Sequence, residues 1–115
     1  MVKQEKFKIA NLIKEFIIRL DSNLVNFPKK EIELKSKIKN TAYDLLFTAY
    51  RTNLSTNKQL KKELAELLIA QIKYLDFLIN LCYDKQIINA KKYVKFGESL
   101  NDITRHIVSW MTTFK

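Results

Sequence analysis

The chain has 115 residues, the size of one domain, and its single glycine and single proline leave almost no turn chemistry for a many-stranded sheet. Leu, Ile, Lys, Glu, Gln and Ala dominate, so the composition points to an all-α domain with few connections. Its formal charge of +9, from 21 basic and 12 acidic residues, suits a polyanionic partner such as RNA, DNA or an acidic lipid surface; AT-rich coding, which favours Lys, Asn and Ile together, is the alternative origin.

The first segment carries Ile9, Leu12, Ile13, Phe16, Ile17, Leu20 and Leu24 at intervals of three and four, one face of a helix expected over residues 3–25. Asn26-Phe27-Pro28 breaks it, and Pro28 suits the first position of the next helix. That second helix has the stripe Ile32 or Leu34, Ile38, Ala42, Leu45, Leu46 and Ala49 and is expected to end near Arg51, with TNLST as the connection. The third is expected to start at Thr56, with Gln59 completing a capping box, and to bury Leu60, Leu64, Leu67, Leu68, Leu75, Leu78, Ile79 and Cys82 before Tyr83-Asp84-Lys85-Gln86 closes it. Asn89 is a candidate cap for the fourth, which places Tyr93, Phe96, Gly97, Leu100, Ile103, Ile107 and Trp110 on one side.

Helices of about 22 to 28 residues are roughly 33–42 Å long at the standard rise. Short connections make successive ones antiparallel, so the expected fold is an up-down-up-down four-helix bundle, a single domain over residues 1–115. Ile18, Tyr43, Phe47, Tyr50, Ile69, Ile72, Tyr74 and Phe77 fall outside the main stripes. They belong either to a wider core at a close helix pair or to a second apolar face that packs on another subunit.

Catalytic chemistry is hard to find. His106 is the one histidine; Asp102 lies one turn before it, an arrangement common on solvated helix faces, and adjacent Arg105 points elsewhere. Glu63 and Glu66 lack the Glu-x-x-His companion of a di-metal bundle site, and no glycine-rich phosphate loop is present. A lone Cys82 in the apolar run LINLCY can form neither an internal disulfide nor a cysteine metal site and is expected to be a buried thiol. No catalytic residue, metal or cofactor is therefore expected. The polar, lysine-rich start and the absence of a run near the ~18–20 apolar residues of a membrane span suggest a soluble cytoplasmic protein.

Lysines recur at helix starts: Lys29 and Lys30, then Lys58, Lys61 and Lys62, then Lys91 and Lys92. A helix N-terminus carries about half a positive charge, so an exposed lysine there costs about 0.3–1 kcal/mol. In an antiparallel bundle the second and fourth helices begin at the same end, which gathers Lys29, Lys30, Lys85, Lys91 and Lys92 at one pole, with Lys35, Lys37 and Lys39 extending the charge along the second helix. A phosphate backbone would satisfy both ammonium and backbone N–H groups; a solvated lysine-rich surface, partly offset by Glu31 and Glu33, is the plainer alternative. Phosphate contact is expected from Lys29, Lys30, Lys35, Lys37, Arg51, Lys91 and Lys92.

Phe27-Pro28-Lys29, then Leu34-Lys35-Ser36-Lys37-Ile38, then Ala42 and Leu45 to Ala49-Tyr50, resembles the second helix of the accessory variability determinant (Avd) proteins of diversity-generating retroelements. The likeness continues through the leucine-rich third helix, Tyr93 and Leu100 to Trp110, and so covers nearly the whole chain. The larger grouping includes the four-helix-bundle proteins encoded in 23S rRNA intervening sequences. The chain departs from the pattern at Asn80, where the family often has arginine, and at Val108 and Ser109, where it often has glycine. The resemblance implies a barrel-like homopentamer with a basic surface. It also implies binding to a retroelement reverse transcriptase and to its RNA or DNA, in support of mutagenic cDNA synthesis without catalysis of its own. A protein of the rRNA intervening-sequence type, or a structural adaptor with no nucleic-acid role, is the alternative.

Overall fold

The computed structural model describes residues 4–114, which form four helices packed against one another. The expected helix start at Lys3 lies outside these residues. Helix α1 is Lys8–Leu24, α2 is Ile32–Leu54, α3 is Lys58–Asp84 and α4 is Ala90–Met111, and no strand occurs among the described residues. Each helix packs on its neighbours in chain order and α1 closes the set against α4, the arrangement of a four-helix bundle. The connection at residues 55–57 is far too short to run back along a 23-residue helix, so α3 returns antiparallel to α2; the same holds at each turn.

Residues 4–7 do not continue α1. The Asn11 side chain brackets the Glu5 peptide, accepting from its N–H at 3.1 Å and donating to its carbonyl at 2.6 Å. These bonds hold the segment as a strap, and Phe7 packs on Trp110 with ring centroids 5.1 Å apart.

Pro28 is not the first residue of α2. Its ψ of 134° is extended, and its carbonyl accepts from Glu31 N–H at 3.0 Å to close a 3-10 turn over Lys29–Glu31. Helix α2 therefore begins one turn late, at Ile32, and continues past Arg51 to Leu54. Thr52, expected in the connection, is buried and donates its hydroxyl to the Thr48 carbonyl at 2.6 Å, so it is satisfied within the helix instead of ending it.

At α3 the cap is Asn57, whose side chain accepts from Leu60 N–H at 2.9 Å; Gln59 donates instead to Glu63 at 3.1 Å, so the expected Thr56–Gln59 capping box does not form. The end of α3 is a Schellman turn. Ile87 N–H reaches the Cys82 carbonyl at 2.8 Å and Gln86 N–H the Tyr83 carbonyl at 2.9 Å, with Gln86 in the left-handed position at φ 62° and Ile87 against the core. Asn89 caps α4 as expected, accepting from Lys92 N–H at 2.8 Å.

The core follows the expected stripes with two exchanges, and the open choice between Ile32 and Leu34 is resolved. Leu34 faces inward and Ile32 is 64% exposed; Leu60 and Leu67 stand on the flank of α3; and Ile72 joins the seam with Leu64, Leu68, Leu75, Ile79 and Cys82. Phe16 of α1 meets Phe96 of α4 edge-on at 5.7 Å. Of the apolar residues outside the main stripes, Ile72 is buried and Tyr50 and Ile69 half-buried, while Ile18, Tyr43, Phe47, Tyr74 and Phe77 remain exposed. The wider core thus absorbs only part of the second set. No helix among the described residues is long and apolar enough to cross a membrane.

Candidate nucleic-acid interface

Antiparallel pairing divides the long axis of 46 Å into two ends and a waist. One end combines residues 21–34 with residues 78–96: the end of α1, the 3-10 turn, the α3–α4 turn and the start of α4. It holds Lys29, Lys30, Lys85, Lys91, Lys92 and Lys95 against Asp21, Glu31, Glu33 and Asp84. Lys85 pairs with Glu31 at 3.1 Å, and the Asp21 carboxylate accepts from the Tyr43 hydroxyl at 2.9 Å. Lys29, Lys30, Lys91 and Lys92 are exposed and have no carboxylate partner among the described residues. Because α2 and α4 are diagonal in the bundle, these lysines form two doublets across the end face, and the Lys85–Glu31 contact lies between them. The first turn of α4 contains no acidic residue, so its N-terminal dipole adds to the cationic field.

Arg51 is not at this end. It lies about 30 Å along α2 from Lys30, on the last turn before Leu54. Nor do Lys35 and Lys37 share a face, since residues two apart on an α-helix diverge by about 200°. Lys35, with Lys39 one turn on, lines a shallow cleft beside Asp21 and Val25 of the α1 end, whereas Lys37 falls on the opposite flank.

The end that holds Arg51 is the more basic. Residues 4–9, 47–65 and 109–114 meet there and bring Lys6, Lys8, Arg51, Lys58, Lys61 and Lys62 together against only Glu5 and Glu63. The Glu5 carboxylate is already engaged by the Lys14 ammonium and by the Tyr50 hydroxyl at 2.5 Å. Those two bonds hold it below the usual carboxylate range and raise both donors above theirs. Lys61 sits over the Phe114 ring at 5.0 Å and the Trp110 ring at 5.7 Å. Beside it a cleft of about 470 Å³ is lined by Asn53, Ser55, Thr56, Lys58, Lys61 and Thr113, which offers hydroxyl and amide groups next to ammonium groups. The sequence marks Lys58, Lys61 and Lys62 as a helix start, and antiparallel order by itself brings the end of α2, with Arg51, to the same end; the strap that adds Lys6 is placed by tertiary bonds such as Tyr50 to Glu5.

Between the ends, the waist carries seven Lys and Arg against six Asp and Glu and is close to neutral. The exposed Tyr43, Tyr74 and Phe77 lie on it, with Phe47 at its margin.

Other reactive groups are occupied. His106 Nδ1–H donates to the Asp102 carbonyl at 2.9 Å, and the Asp102 carboxylate pairs with Arg105 at 3.2 Å. The Cys82 thiol is pushed up to about 11 by burial, with Glu31 adding to the shift, and at that value it is not a nucleophile near neutral pH. Among the described residues no three of His, Cys, Asp or Glu come together as a metal site. Asn80 donates to the Tyr93 hydroxyl at 2.7 Å, and Tyr93 stacks parallel on Tyr83 at 4.9 Å, which ties α3 to α4. Comparison with protein-family models, with curated proteins and with solved structures finds no match.

Proposed function

We propose that this chain is a non-catalytic, basic accessory protein that binds nucleic acid through its ends and works as a homo-oligomer, in the manner of the retroelement Avd proteins it resembles. One observation carries the reading: net charge is +4 at the Arg51 end (six basic, two acidic) and +2 at the Lys29 end (six basic, four acidic), while the larger waist carries only +1 and displays exposed aromatics. Side-by-side packing through the waist would bury Phe47, Tyr74 and Phe77 and repeat the cationic ends around the rims of a ring, for which the resemblance implies five copies. A reverse transcriptase is the protein partner that the same resemblance supplies, and nucleic acid held at the ends would then be presented to it during mutagenic cDNA synthesis.

The test has two parts. RNA binding measured across a salt series should weaken steeply as salt rises, the signature of phosphate contact. Reversing Lys29, Lys30, Lys91 and Lys92 to Glu should weaken binding while leaving helicity unchanged, and unaltered affinity at physiological salt would reject that assignment. A reverse-transcriptase gene flanked by near-identical repeats beside this one favours the retroelement role. A second reading, a protein of the rRNA intervening-sequence type, is favoured by Asn80: where the retroelement family often has arginine, this residue is an internal strut to Tyr93.

A further inference from the structure

The two basic ends stand at opposite limits of a 46 Å axis, and the surface between them is almost charge-balanced. A phosphate chain running from one end to the other would cross Asp44, Glu66, Asp76 and the exposed rings of Tyr74 and Phe77 on the α2–α3 side, and Glu15, Glu98 and Asp102 on the α1–α4 side. Lys35, Lys37 and Lys39 offer no continuous track, because Lys37 diverges from the other two around α2. Each end by itself has what a phosphate backbone requires: several exposed ammonium or guanidinium groups without carboxylate partners, here Lys29, Lys30, Lys91 and Lys92 at one end and Arg51, Lys58 and Lys62 at the other. The second end adds the hydroxyl and amide donors of the cleft beside Lys58.

We infer that a single chain holds two separate nucleic-acid segments at once, one at each end, and so bridges them. This rests on the nucleic-acid reading above and goes beyond it, because one composite surface would take only one segment. Bridging concentrates two segments near each other, which raises their effective concentration for pairing or strand exchange.

The experiment titrates the full-length protein with a hairpin duplex of about 6 base pairs, roughly 20 Å long and therefore shorter than the roughly 30 Å between Lys30 and Arg51. Bound duplex is counted per chain, so the count does not depend on oligomeric state. About two duplexes per chain are expected for the unaltered protein at low salt, and about one for either end-specific variant, Lys29→Glu/Lys30→Glu/Lys91→Glu/Lys92→Glu or Arg51→Glu/Lys58→Glu/Lys62→Glu. Helicity is checked for each, and a Gln series at the same positions replaces any Glu variant that fails to fold. One duplex per chain in the unaltered protein, or complete loss of binding in either single-end variant, overturns bridging while leaving nucleic-acid binding intact. No binding at all in the unaltered protein overturns both.

Discussion

The Lys85 ammonium lies 3.1 Å from the Glu31 carboxylate and ties the α3–α4 turn to the 3-10 turn that leads into α2. The contact is partly exposed, so it contributes at most about 1 kcal/mol to stability. Its larger effect is on the field, because Glu31 competes with any phosphate for the lysines around it. Replacing Glu31 with Gln is expected to leave the denaturation midpoint nearly unchanged and to tighten RNA binding. The slope of log affinity against log salt should steepen by about one, as expected when one more cation is free to meet phosphate. Unchanged binding and slope would remove this end from the interface.

Gln86 occupies the left-handed position that closes a Schellman turn, at φ 62°, where glycine is favoured because it has no Cβ. The Gln86→Gly variant should gain about 0.5–1 kcal/mol in urea denaturation, the relief of strain being partly offset by the greater freedom of glycine in the unfolded chain. Gln86→Ala keeps the Cβ and should show no such gain. Equal behaviour of the two variants would mean that the turn carries no backbone strain.

Phe16 is fully buried against Phe96, and Phe47 is 68% exposed on α2. Truncating Phe16 to Ala should cost about 3–5 kcal/mol, a large share of a typical domain's stability. Truncating Phe47 to Ala should change monomer stability by less than about 0.5 kcal/mol. Light scattering is the deciding measurement for Phe47: a smaller assembly is expected if the waist packs on another copy, and an unchanged mass would place the contact elsewhere.

Protonation should release the strap before it unfolds the bundle. The Glu5 carboxylate is held below its ordinary value of 4.5 by the Lys14 and Tyr50 bonds, so its contribution is fully present above that value and is lost as pH falls through the lower, folded one. Tyr50 and Lys14 are raised above their ordinary 10.0 and 10.5, so their contributions are present below those values and fade as pH rises through the folded ones. Because Phe7 of the strap covers Trp110, the lone tryptophan reports the release. Its emission should shift to longer wavelength in acid below pH 4.5 while helicity persists, and Glu5→Gln should show that shift already at pH 7. Native emission from Glu5→Gln at pH 7 would show that the carboxylate does not hold the strap.

Much of the architecture was legible along the chain. Ile9, Ile13, Phe16, Ile17 and Leu20 mark a seam that needs only helical periodicity to be seen, and the Asn89 cap needs only its neighbours at the helix start. The misplaced boundaries have local causes that depend on conformation. Pro28 can open a helix or precede a 3-10 turn, and Thr52 can bond its own helix as readily as a turn. Of the expected site residues, Lys29, Lys30, Lys91 and Lys92 do share one end, as antiparallel order requires, but Arg51 belongs to the other.

The amino-acid order alone determined that there are four amphipathic helices joined by reversals, because hydrophobic spacing and connection length act within a few residues of each position. Only the packed structure decided which apolar stripe each helix turns inward: Ile72 is buried and Phe47 is not, and both positions are apolar in the sequence. It also decided how charge is distributed within an end: Arg51 lines an apolar cleft with Phe47, Tyr50, Leu54 and Leu60, whereas Lys58 and Lys61 line a separate polar one, and the field of a surface depends on separation in space.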